Sequence, residues 1–63
     1  MKLNNDQKWK LINKFIEIKL KTNPKSVVKQ SLPTMGVWID DSFFSIDLIV
    51  KSINDKYNKG WEL

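Results

Sequence analysis

The chain has 63 residues, eleven lysines against seven acidic side chains and a net charge of +4, with no arginine, histidine or cysteine. That composition removes the usual proton shuttle, the thiol nucleophile and metal ligand, the disulfide, and the bidentate reader of carboxylates, phosphates and guanine edges. It argues against an enzyme, a cofactor and a structural zinc site, and predicts one small domain over residues 1–63, too hydrophobic at 41% to be a disordered tail.

Met1-Lys2-Leu3 is succeeded at once by Asn4, Asn5, Asp6, Gln7 and Lys8, so no apolar leader is expected. The richest apolar run, Phe43 to Val50, is interrupted by Ser45 and Asp47 and falls far short of the roughly 20 residues of a membrane span. A cytoplasmic location is the expectation. Lysine without arginine, beside seven isoleucines and six asparagines, reads as the codon bias of an AT-rich genome, such as a low-GC bacterium or a phage or other mobile element.

Residues 5–21 predict an amphipathic helix capped by Asn5 or Asp6. At 100° per residue, Trp9, Ile12, Ile16 and Leu20 make one apolar seam, and Leu11, Phe15 and Ile18 make a second. An arc that wide is either central in a tiny fold or has its second seam reserved for a partner. Asn23-Pro24 has the order of a cap and a first-turn proline, which predicts a short middle helix over about 24–32; the β-branched pair Val27-Val28 keeps a strand as the competing reading. Residues 36–39 predict a short extended segment, and Asp40-Asp41-Ser42 a turn or a helix cap. A last helix is expected over about 44–59, with Ile46, Ile49, Val50, Ile53 and Tyr57 on its buried stripe, Gly60 as its stop and Trp61 folding back. The fold class expected is mostly α, as a small α or α+β domain.

Asp40 and Asp41 are the only adjacent carboxylates, a weak magnesium signal better explained as a cap or turn. Charge is unevenly spread: residues 1–32 carry a net +6 and residues 33–63 a net −2. The favoured expectation is a non-enzymatic interaction module that regulates or inhibits a larger cytoplasmic protein and self-associates, with Leu11, Phe15, Ile18, Trp38, Phe44 and Leu48 as apolar anchors. The alternative is a nucleic-acid-binding protein of low sequence specificity that meets phosphates through Lys10, Lys14, Lys21, Lys25 and Lys29. A protein partner or homodimer ranks first, and nucleic acid second.

Overall fold

A computed structural model describes residues 2–63. The first helix, α1, spans Asn5–Thr22, and its cap lies one residue before the expected one. Asn4 is the N-cap, its side chain accepting from the Gln7 amide while the Gln7 side chain accepts from the Asn4 amide, a reciprocal capping box. Asn23 ends the helix, its N–H donating to the Lys19 carbonyl.

The segment after α1 is not a helix. Pro24 and Lys25 form a turn, and the chain enters strand β1, Val28–Ser31, so the strand reading of 24–32 prevails over the helical one. The reason is tertiary: β1 pairs antiparallel with β2, Gly36–Ile39, and the Asp40 carboxylate accepts from the Val27 amide and the Ser26 hydroxyl, fastening the entry to the strand. A third strand, β3, Ser42–Ser45, pairs antiparallel with the other edge of β2 and occupies residues expected to begin the last helix. That helix, α2, is correspondingly shorter, Ile46–Tyr57, with Ser45 as its N-cap. Its stop is Asn58 in the left-handed region at φ 54°, not Gly60.

The result is a small α+β fold in the order α1-β1-β2-β3-α2, with a three-stranded antiparallel sheet in the order β1-β2-β3. Val37 and Ile39 alternate along β2 on one face and join Ile12, Phe15, Ile49 and Ile53 in one core, so both helices cover the same side of the sheet. The apolar arc of α1 is wide because the helix serves two neighbours. Phe15 meets Phe44 of β3 at 5.1 Å between ring centroids, the Asn13 side-chain oxygen accepts a hydrogen bond from Gln30 Nε2 of β1, and Phe15 and Ile18 border a cleft shared with Ile53 of α2. At the open end, the Leu3 N–H donates to the Glu62 carbonyl, and the Asn54 side chain both donates to and accepts from the Trp61 backbone, seating that tryptophan half-buried against the core.

Candidate interaction surfaces

The helices leave one face of the sheet uncovered. On it the register aligns Lys29 with Trp38 and Trp38 with Phe43, forming a cross-strand row. The Trp38 and Phe43 rings lie 5.0 Å apart at 51°, and they remain 45% and 36% exposed. Val27 and Leu32, both exposed, lie on the chain just before and just after β1. An open concavity of about 560 Å³ is lined by Val27, Lys29, Trp38, Asp40 and Asp41.

Local chemistry explains why β2 presents aromatics outward. Its alternation places Val37 and Ile39 in the core, which sends Trp38 to the other side. The turn to β3 needs only Asp40 and Asp41, with Asp40 at φ 55°, a conformation that aspartate tolerates. Asp40 is thus a turn residue whose carboxylate oxygens lie 3.0 Å from the Val27 amide nitrogen and 3.1 Å from the Ser26 hydroxyl. Among the described residues no three acidic side chains come together where they could hold a metal ion, and no helix is long and apolar enough to cross a membrane.

The six anchors expected from the sequence do not share a face. Phe15 is 5% exposed and belongs to the core, Leu11 and Phe44 are half-buried against it, and Ile18 is half-buried at the cleft that Phe15 borders. Trp38 is exposed on the open sheet face, whereas Leu48 is 52% exposed on α2, in the helix layer. Phe43, absent from that set, is the residue that stands with Trp38. No strand signal marks it in the sequence, because Ser42-Phe43-Phe44-Ser45 does not alternate and Phe44 reads as the start of a helix.

The five lysines of the alternative set also divide. Lys10, Lys14 and Lys21 lie on α1, Lys25 in the turn before β1, and Lys29 on the open sheet face. The charge asymmetry along the sequence becomes an asymmetry between layers. The helices and chain ends (residues 1–22 and 46–63) hold nine lysines against five acids, whereas residues 23–45 hold Lys25 and Lys29 against Asp40 and Asp41. The sheet layer is therefore neutral, and the whole net charge sits on the helix layer. Lys21–Glu17, at 3.8 Å and well exposed, is the only ion pair among the described residues. Two further lysines converge on one ring: the ammonium of Lys14 lies 5.2 Å, and that of Lys56 5.9 Å, from the centroid of Tyr57. Comparison with protein-family models, curated proteins and solved structures gives no match.

Proposed function

We propose that this chain is a small non-enzymatic interaction module that docks onto a larger protein through the open face of its sheet and regulates or inhibits it by occupying that surface. The observation that carries the reading is the stacked, exposed Trp38–Phe43 pair on a face that neither helix covers. Aromatic anchors of this kind dominate interface energetics, and the neutrality of the sheet layer suits contact with an apolar rather than a charged surface.

Size favours a larger partner over a second copy. Three four-residue strands present about 14 Å by 13 Å, or about 180 Å², against the about 800 Å² that each side of a standard interface buries. Two such flat faces pressed together fall well short. A cleft that takes in the aromatic pair and also wraps Val27 and Leu32 contacts more of the chain than a second flat face does.

The test is photo-crosslinking in the cells that make the protein, with a photoreactive residue at position 43 and, as the helix-layer control, at position 55. A defined adduct heavier than twice the chain, formed from position 43 alone and lost on Trp38→Ala, is the expected result. An adduct of twice the chain mass would assign the face to self-association, and equal labelling from both positions would remove the sheet face from consideration.

A further inference from the structure

The helix layer carries a second surface, independent of the sheet face. We infer that Lys14 and Lys56, braced on the Tyr57 ring, form the centre of a site for the phosphate backbone of duplex nucleic acid. Two ammonium groups from different helices approach one ring at 5.2 and 5.9 Å, which places them no more than about 11 Å apart, and neither forms an ion pair with a described residue. Lys10, one helical turn before Lys14, continues the row along α1 at a rise of about 6 Å. Of the two acids flanking that row on α1, Glu17 is engaged with Lys21, and Asp6 lies in the first turn, about two turns from Lys14.

The distribution of apolar surface selects among polyanions. A protein that lies on an anionic membrane presents its exposed aromatics beside its lysines. Here Trp38 and Phe43 are on the sheet face, and among the described residues Tyr57 is the one exposed ring on the lysine-rich layer, already flanked by two ammonium groups rather than free to insert into lipid. Single-stranded nucleic acid is held by bases stacked on open aromatic rings. Tyr57 is a single ring, and the ammonium groups at 5.2 and 5.9 Å from its centroid compete with a base for it, so it makes no run of stacking platforms. A hydrated double-helical backbone requires only point charges on a convex surface, which lysine supplies without reading sequence.

Fluorescence anisotropy of a labelled duplex, titrated with the full chain at about 50 and about 200 mM salt, measures this directly. With two to three phosphate contacts the affinity falls about 10- to 40-fold across that salt range. Lys14→Glu with Lys56→Glu is expected to weaken duplex binding at least tenfold at the lower salt. Lys25→Glu with Lys29→Glu, which changes the net charge equally but on the sheet layer, is expected to change it less than threefold. Far-UV circular dichroism checks that both variants remain folded, and Lys14→Gln with Lys56→Gln replaces the first pair if it does not. Absence of duplex binding, equal losses in the two charge-reversed pairs, tighter binding to single strands or anionic vesicles, or displacement of the duplex by polyglutamate at matched charge would each overturn the assignment. Lys14 and Lys56 lie on the helix layer, away from Trp38 and Phe43, so the outcome for that pair is separable from that of the crosslinking experiment; Lys29, which pairs with Trp38, is read for duplex binding alone.

Discussion

Phe43 lies across the backbone of Gly36. A β-carbon at position 36 would fall 2.6 Å from Phe43 Cζ and 2.8 Å from the Phe44 carbonyl oxygen, inside van der Waals contact with both. The glycine is required for close approach, since its φ is not positive. The ring could swing away, but the carbonyl belongs to the β3 backbone paired with β2. Gly36→Ala is therefore expected to cost about 1–3 kcal/mol, read from urea denaturation, and to perturb the Trp38–Phe43 stack.

Removing the exposed aromatic pair should leave the fold largely intact. Trp38→Ala with Phe43→Ala forfeits a partly exposed ring contact worth about 1 kcal/mol, whereas Ile12→Ala opens a cavity in the fully buried core at about 2–5 kcal/mol. A chain of 63 residues has a total stability of about 3–9 kcal/mol. Thermal and urea unfolding should show the double surface variant folded and Ile12→Ala close to its limit. An unfolded surface double variant would make Trp38 and Phe43 structural residues.

Asp40 combines a left-handed backbone with two accepted hydrogen bonds, and three substitutions separate these roles. Asp40→Asn keeps an acceptor and tolerates φ 55°, so it should lie closest to the parent. Asp40→Gly keeps the turn and loses the bonds. Asp40→Ala loses both and should be the least stable, by about 1–3 kcal/mol. Hydrogen exchange at the Val27 amide gives an independent reading, with faster exchange expected for the glycine and alanine variants.

Asn54 holds the C-terminal tail through paired bonds of 2.9 and 3.0 Å to the Trp61 backbone. Asn54→Ala should release Trp61 from the core and shift its emission to longer wavelength, measured with Trp9 and Trp38 replaced by phenylalanine. The expected stability loss is about 1–2 kcal/mol, because both bonds are part-buried. An unshifted spectrum would mean that side-chain packing alone seats the indole.

Periodicity made α1 and the buried stripe of α2 legible. Ile49, Val50 and Ile53 are buried as their spacing implies, and Tyr57, at the helix end, is 40% exposed. The extended segment 36–39 also matched, and it proved to be the central strand. The middle helix failed because Asn23-Pro24 ends one element as well as it begins another, and four residues of strand carry too short a pattern to outweigh that signal. The expected helix over about 44–59 separates Phe44 from Phe43, whereas both belong to one strand and point to its opposite faces, Phe43 outward onto Trp38 and Phe44 inward onto Phe15.

By itself the sequence determined what this protein lacks and what must be buried. The absence of arginine, histidine and cysteine limits its chemistry, and the spacing of apolar residues marks the helices, because both depend on composition and local order. Only the tertiary structure decided which apolar side chains stay exposed and where the charge collects. Pairing β1 and β3 with β2 brings residues from three strands into one row and turns a charge gradient along the chain into a contrast between two layers. Those relationships arise from contacts between residues distant in sequence, for which a single chain of letters carries no local signal.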